Sequence, residues 1–276
     1  RICAYQALHD YINGEDSYMK KILIIGAGFL QAYVIKAAKA AGYLTCAVDA
    51  NKDAVGFKYC DFSAALNIVD KEACLKYAKE NNIDGVMTAA TDFGVQTAAY
   101  IASELKLPGL SCETAQTVKN KYLTRKALFE AKADDSQAGF EVSDILQLIA
   151  IKSELSYPVM VKPCDGSGSR GASKVSDDTQ LEQACIEAMK SSLSGKAVIE
   201  HFINGVEYGV ETFVYGGIPH VLAVMKKWMT KPPYYAELGH AIPSGLDENL
   251  ENRIKTAAAK AITALGINVG AVNMDV

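Results

Sequence analysis

The chain has 276 residues, half of them hydrophobic and 22% charged, with a formal net charge of −4. That length exceeds the usual size of one domain and predicts two or three lobes with a sizeable core. The mild acidity and the lack of a dense Lys/Arg run argue against a nucleic-acid partner, and no stretch approaches about 18 uninterrupted apolar residues, so no membrane-spanning helix is expected.

Residues 1–18 carry Asp10, Glu15 and Asp16 and no apolar core segment, so they do not read as a secretory signal. Met19-Lys20-Lys21 followed by Ile22–Ile25 reads as a natural start, and 1–18 are expected to be a leader or an added extension outside the fold. Ile22–Ile25 is a short apolar run that ends in Gly26-Ala27-Gly28. A helix is expected from there to about Ala41, then a strand over Leu44–Val48 closed by Asp49. Helix 70–81, strand 85–88, helix 92–105 and a strand over 107–110 continue the alternation. This βαβαβα order predicts a Rossmann-like parallel sheet over residues 19–112, with helices on both faces. Asp92, just after the third strand, reads either as a substrate contact or as a helix cap.

A second domain is expected over 113–276. Its first helix spans 113–131 and carries Lys119, Lys121, Arg125 and Lys126. A turn-rich stretch follows at 133–139, then helix 145–155, strand 157–162, a loop over 163–173, helix 177–192 and strand 197–202. From Val206 to Trp228 the pattern is β-like, with a turn at Gly216-Gly217. A long helix over 246–265 and a strand over 269–276 close the chain.

Seven cysteines lie at 3, 46, 60, 74, 112, 164 and 185, with no CxxC pair. An odd count without metal-ligand spacing predicts free thiols in a reducing compartment, hence a cytoplasmic protein.

Two glycine-rich turns are candidates for phosphate binding. Gly26-Ala27-Gly28-Phe29-Leu30-Gln31 has the strand–turn–helix setting of a dinucleotide fingerprint, with Gln31 where the third glycine belongs and Asp49 near the ribose-binding position. It reads either as an NAD(P) site, which would make the protein an oxidoreductase, or as a tight turn that binds no dinucleotide. The second turn, Asp165-Gly166-Ser167-Gly168-Ser169-Arg170-Gly171, follows the buried strand Tyr157–Lys162. Its glycines allow close backbone approach to a polyphosphate. It is not a Walker A loop, because Ala172 stands where that lysine belongs; Lys162 precedes the loop instead. The alternative is a surface hairpin loop with Lys162 reaching water. Thirty-eight residues after Lys162 comes Glu200-His201-Phe202-Ile203-Asn204-Gly205-Val206-Glu207. Its two carboxylates suit the adenine and ribose of a nucleoside, or are solvated groups flanking a turn.

Taken together, Lys162-Pro163, the Gly/Ser loop, the Glu200…Glu207 spacing, the hairpin, the long helix and Asp275 in a final strand resemble the ATP-grasp superfamily. The likeness is to its carboxylate–amine ligase branch, related to carbamoyl-phosphate synthetase and biotin carboxylase. The resemblance covers roughly residues 20–276. It implies an ATP-grasp fold of two α+β subdomains after the first lobe, the small one over about 140–203 and the large one incomplete. It implies ATP and Mg²⁺ as cofactors, with Lys121 and Lys162 on the phosphates and Gly166, Ser167, Gly168, Ser169 and Gly171 as a mobile lid. Glu200 and Ile203 would face adenine, Glu207 the ribose, Lys231 the γ-phosphate or substrate in a catalytic role, and Asp275 the metal. The first lobe would help to bind a substrate rather than NAD. The implied reaction is an ATP-dependent ligation, in which a small-molecule carboxylate becomes an acyl phosphate and an amine displaces the phosphate. The second metal carboxylate expected downstream is absent before Val276, so the sequence as it stands is expected to be truncated and to bind nucleotide without efficient turnover. A non-catalytic nucleotide-binding module is the further alternative. A homodimer is the default expectation for a soluble enzyme.

Overall fold

The computed structural model describes residues 19–135, 139–166, 168–231 and 236–276. The chain divides into two compact units, Arg1–Cys112 and Glu113–Val276.

In the first unit, β1 (Lys21–Ile25), β2 (Leu44–Asp49), β3 (Phe62–Ala65) and β4 (Gly85–Thr88) form a sheet in the order β3-β2-β1-β4. Every pairing is parallel. Side chains alternate across a strand, so each face of a two-sided sheet needs its own cover. Leu23, Ile25, Cys46 and Val48 pack on Cys74, Leu75 and Ala78 of α2 (Lys71–Glu80) and Ile101 of α3 (Val95–Glu104). Ile24 and Ala47 face the other way, onto Ile35 of α1 (Gln31–Ala40) and Ala54. Asp70 starts α2 by accepting a hydrogen bond from the Ala73 amide at 3.0 Å, a cap typically worth about 1 kcal/mol.

The expected strand over 107–110 does not form. Leu107 instead closes the end of α3, its amide donating to Ala102 O at 2.8 Å after Lys106 adopts a φ of 54°. Pro108, with no amide hydrogen, cannot serve a central ladder. The remaining strand is β3, a four-residue edge strand, Phe62-Ser63-Ala64-Ala65, with three of its residues exposed. Asp92 does not cap α3; Gly94 occupies that position.

The second unit holds two antiparallel sheets. β5 (Phe140–Val142), β6 (Val159–Pro163), β7 (Ser173–Val175) and β8 (Ala197–His201) run in the order β5-β8-β6-β7. Their inner face, with Val159, Val161, Val175 and Ile199, packs on Leu148 of α6 (Ile145–Ile151) and on Leu181, Ala184, Cys185 and Ala188 of α7 (Asp178–Ser191). β9 (Tyr208–Tyr215), β10 (Ile218–Met229), β11 (Glu237–Ala241) and β12 (Gly270–Asp275) run in the order β11-β10-β9-β12. The helix α8 (Glu248–Ala264) covers β10 and buries Ala258, Ala261 and Ile262. Full burial of a side chain the size of Ile262 contributes about 1.5–3 kcal/mol.

The single helix expected over 113–131 is two helices, α4 (Cys112–Lys119) and α5 (Lys121–Glu130). Asn120 breaks them with extended backbone and caps α5, its Oδ1 accepting from the Leu123 amide at 3.0 Å. An Asn side chain competes well for backbone donors, which favours a cap over a helix interior. The mixed α/β class, with a parallel first lobe and two antiparallel sheets, is the one expected. Among the described residues no helix is long and apolar enough to cross a membrane.

Candidate functional site

The apolar strand β6 dictates where Lys162 points. Val159 and Val161 face α7, so Met160 and Lys162 must face the opposite side. β8 follows the same rule: Ile199 is buried in the core and Glu200 turns outward. Register places Met160 opposite Glu200 and Lys162 opposite Val198, which makes Lys162 and Glu200 diagonal neighbours on one face. Lys162 Nζ donates to Glu200 Oε1 at 2.5 Å. Arg125 Nε, from α5, donates to Glu200 Oε2 at 3.1 Å. The Glu200 side chain is 12% exposed. Burial alone would push its pKa up, but the charges of Lys162 and Arg125 outweigh burial and hold it below the usual carboxylate value.

Lys121 stands at the root of the glycine loop. Its amide donates to Cys164 O at 2.7 Å and its Nζ to Gly166 O at 3.1 Å. Burial, and then the neighbouring Lys162 charge, lower the Lys121 pKa. Asp165 fixes the other side of the root, accepting from Ser192 Oγ at 2.6 Å and from the Leu193 and Ser194 amides at 2.8 and 3.0 Å. Gly166, Gly168, Ser169 and Gly171 all adopt positive φ. A Cβ on Gly171 would lie 2.7 Å from Ser191 Cβ, whereas one on Gly168 would meet nothing within 4 Å. The loop therefore has a pinned root and an open tip. Ser167, expected to join the lid, lies outside the described residues.

A second cluster forms on one face of the β9–β12 sheet. Lys227, buried in β10, donates to Glu207 Oε1 and, at 2.6 Å, to Asp275 Oδ1. Glu237 Oε2 stands 3.3 Å from the same nitrogen. Burial would lower the Lys227 pKa, but Asp275 and Glu207 overcome it and raise it. Next along this face, Asn273 Nδ2 donates to Glu211 Oε1 at 2.8 Å. Ile203 is exposed, as is Lys231, whose neighbours 232–235 lie outside the described residues. The structure thus brings Lys162 to Glu200, sets Lys121 at the loop beside them, and joins Glu207 to Asp275 through Lys227.

Sequence reasoning missed Arg125, Lys227 and Glu237 as parts of these clusters. A signal existed for Arg125, four residues after Lys121 and so on the same helix face. For Lys227 it was the Lys226-Lys227 pair inside an apolar strand, where alternation must turn one of the two inward. Glu237 carried no such signal.

In the first unit, Asp49, near the ribose-binding position of a dinucleotide fold, and Gln31, where the third glycine of the fingerprint belongs, are both engaged in the turn itself. Asp49 Oδ2 accepts from the Ala27 amide at 2.8 Å and Oδ1 from Asn51 at 2.9 Å. Gln31 is buried, donates to Ala89 O at 2.6 Å, and lies over the glycines, so that a Cβ on Gly28 would meet Gln31 Oε1 at 2.9 Å. This geometry favours the tight-turn reading of Gly26–Gly28.

Magnesium takes oxygen ligands and shares them with phosphates, so a site can be built on one or two carboxylates. Asp275, with its side chain 60% exposed at the end of β12, can offer one such oxygen. Among the described residues no group of three or more His, Cys, Asp or Glu is placed to hold a metal ion. The residues fit a metal carried by a phosphate ligand better than one held by protein alone.

Residues 155–276 match the family described as ATP-grasp domain. A formate-dependent phosphoribosylglycinamide formyltransferase of Prochlorococcus marinus is 28% identical over 189 residues, 67% of this chain and 48% of that protein. A carbamoyl phosphate synthase large chain of Clostridium acetobutylicum is 24% identical over 299 residues, 95% of this chain and 26% of that protein. The crystal structure of an L-amino acid ligase from Bacillus licheniformis superposes with a TM-score of 0.77 at 26% identity, covering 93% of this chain and 62% of that one. The chain therefore spans about half the length of the formyltransferase and a quarter of the synthase.

Proposed function

We propose, taking as premise that an ATP-grasp domain of the carboxylate–amine ligase branch occupies residues 155–276, that this chain binds Mg·ATP at Lys162, Glu200 and the loop 165–171. The reaction it serves is ATP-dependent activation of a small-molecule carboxylate as an acyl phosphate, followed by attack of an amine. The observation that carries this reading is the Lys162–Glu200–Arg125 cluster at the foot of a glycine loop whose root is pinned and whose tip is open.

Each residue has a role that follows from its place. Lys162 and Lys121 present ammonium groups beside the loop, where an anionic phosphate would pair with them. Glu200, held ionised by two cations, keeps Lys162 aimed and retains lone pairs to accept from an adenine amino group. Ile203 would lie against the base and Glu207 would accept from ribose hydroxyls. The glycine loop, closing at its tip, would exclude water from a reactive phosphate. Lys231 would meet the γ-phosphate or the substrate. Asp275 would give one oxygen to Mg²⁺, which when bound supplies charge neutralisation on the phosphates. In such chemistry positioning and charge stabilisation do most of the catalytic work.

Calorimetry tests the reading. Native protein is expected to bind Mg·ATP saturably and NAD⁺ not at all, and Lys162→Ala to bind Mg·ATP at least about tenfold more weakly, ~1.4 kcal/mol. Unchanged Mg·ATP affinity in a folded Lys162→Ala protein would refute the site. Saturable NAD⁺ binding without ATP binding would return the function to the first glycine turn.

A further inference from the structure

Between β8 and β9 the chain passes from one antiparallel sheet to the other over residues 202–207. Both ends of this connector are tied: the Phe202 amide donates to Pro158 O at 3.1 Å and the Tyr208 amide to Val276 O at 2.9 Å. Between those bonds it belongs to no helix or strand, and Ile203, Asn204, Gly205, Val206 and Glu207 are all exposed. Asn204-Gly205 lies at its centre. The sequence holds one other Asn-Gly, Asn13-Gly14, outside the described residues.

An asparagine followed by glycine carries a latent reaction, one reason asparagine is thermolabile. The glycine nitrogen gives its proton to water and attacks the asparagine Cγ. The new C–N bond closes a succinimide ring, and the side-chain nitrogen leaves as ammonia. Water then cleaves one of the two ring C–N bonds. The product is aspartate or, where the backbone is rerouted through Cγ, isoaspartate. The reaction needs both groups free and a backbone that can bring them together. Elsewhere the fold withholds one or both. Asn51 Oδ1 accepts from the Asp53 amide at 3.0 Å, Asn67 Oδ1 from the Val69 amide at 3.2 Å and Asn120 Oδ1 from the Leu123 amide at 3.0 Å. The amide that would attack Asn120, that of Lys121, already donates to Cys164 O. At Asn204-Gly205, among the described residues, neither the side chain nor the Gly205 amide has a hydrogen-bond partner. A Cβ built on Gly205 would meet nothing within 4 Å, and glycine leaves the backbone free to turn.

We propose that Asn204-Gly205 is a site of spontaneous deamidation, whose conversion puts a carboxylate between Glu200 and Glu207 and so weakens nucleotide binding. The second half rests on the reading of this segment as the nucleoside connector. Its basis is charge and length. A third carboxylate beside a polyphosphate adds repulsion, which solvent at this exposed position reduces to a several-fold effect. Isoaspartate adds a carbon to the backbone path between Ile203 and Glu207, which shifts one against the other. Nucleotide held against the connector restricts its turning, so Mg·ATP slows the conversion.

The test ages the full 276-residue chain in near-neutral buffer at physiological temperature and follows each asparagine by peptide mapping and mass spectrometry. Asn204 is expected to convert at least about tenfold faster than Asn51, Asn67 or Asn120, and Gly205→Ala to slow it by at least about tenfold. Saturating Mg·ATP is expected to slow it as well. By calorimetry, Asn204→Asp is expected to bind Mg·ATP about threefold or more weaker than native. Conversion of Asn204 no faster than of the three bonded asparagines overturns the proposal, as does an undiminished rate in folded Gly205→Ala. Should Gly205→Ala not fold, Asn204→Gln, whose longer side chain closes the ring far less readily, takes its place and is read by the same outcomes. Native protein that binds Mg·ATP, beside an Asn204→Asp that binds it as tightly, overturns the effect on binding and leaves the nucleotide site standing. Native protein that ignores Mg·ATP overturns the nucleotide reading and the effect on binding together, while the mass measurement still decides the deamidation.

Discussion

Glu200→Gln removes one charge from the site and leaves its shape intact. In the native protein both Glu200 oxygens accept from cations, Lys162 at 2.5 Å and Arg125 at 3.1 Å. Glutamine can accept from one of them, but its NH₂ then faces the other's N–H groups. The Lys162 bond is the larger loss, because that side chain is 28% exposed against 38% for Arg125, whose share solvent screens further. A hydrogen bond to a charged group contributes about 1.5–3 kcal/mol, so the variant should lose about 2–3 kcal/mol at neutral pH. For a unit of this size that corresponds to a melting-point drop of roughly 5–10 °C. The assay is built in: the chain has one tryptophan, Trp228, which lies on β10 and reports unfolding of the second unit. The pH dependence has a definite sign. The folded-state pKa of Glu200 is depressed, so its stabilising contribution is full above the unfolded value, 4.5, and is lost as pH falls through the lower folded value. The gap between native and variant should therefore be complete at pH 7, begin to narrow near pH 4.5, and close below the folded value. A variant whose Trp228 transition lies within about 1 °C of native at pH 7 would refute this account of the cluster; so would a gap that is the same in strong acid.

Two further perturbations probe the loop and the thiols. Gly171→Ala, with φ at 73° and a Cβ 2.7 Å from Ser191, should destabilise the second unit by about 1–3 kcal/mol, while Gly168→Ala, equally left-handed but in open space, should cost no more than about 1 kcal/mol. Equal denaturation midpoints for these two variants would contradict the pinned-root, open-tip description. Among the described cysteines, exposed Cys112 should react with an alkylating reagent in the native state, whereas Cys185, fully buried and with its thiol pushed up to about 12, should react only after unfolding. Peptide mapping that finds Cys185 modified as fast as Cys112 would show that the α7 core opens far more readily than its packing implies.

The sequence by itself determined the parts of this protein that repeat a local rule. The apolar runs at β1, β2 and β6 are wholly or largely buried and need no partner to be recognised as strands. The helix starts at Asp70 and Asp177 follow from side-chain caps that act within three residues. The loop after Lys162 was legible because its glycines answer a backbone requirement, and the spacing from Lys162 to Glu200 because both end buried strands. Local rules fail where the partner is distant in sequence. β3 is an edge strand held by hydrogen bonds to β2 rather than by its own apolar face, and the 107–110 run is apolar because it closes a helix. Only the tertiary structure could place Arg125 on Glu200, 75 residues away. It also committed Asp49 and Gln31 to their own turn, and gathered Glu207, Glu237 and Asp275 around Lys227. An ion pair depends on which faces of which elements meet, and register and packing decide that, because a carboxylate is chemically the same in every context until another chain segment brings it a cation.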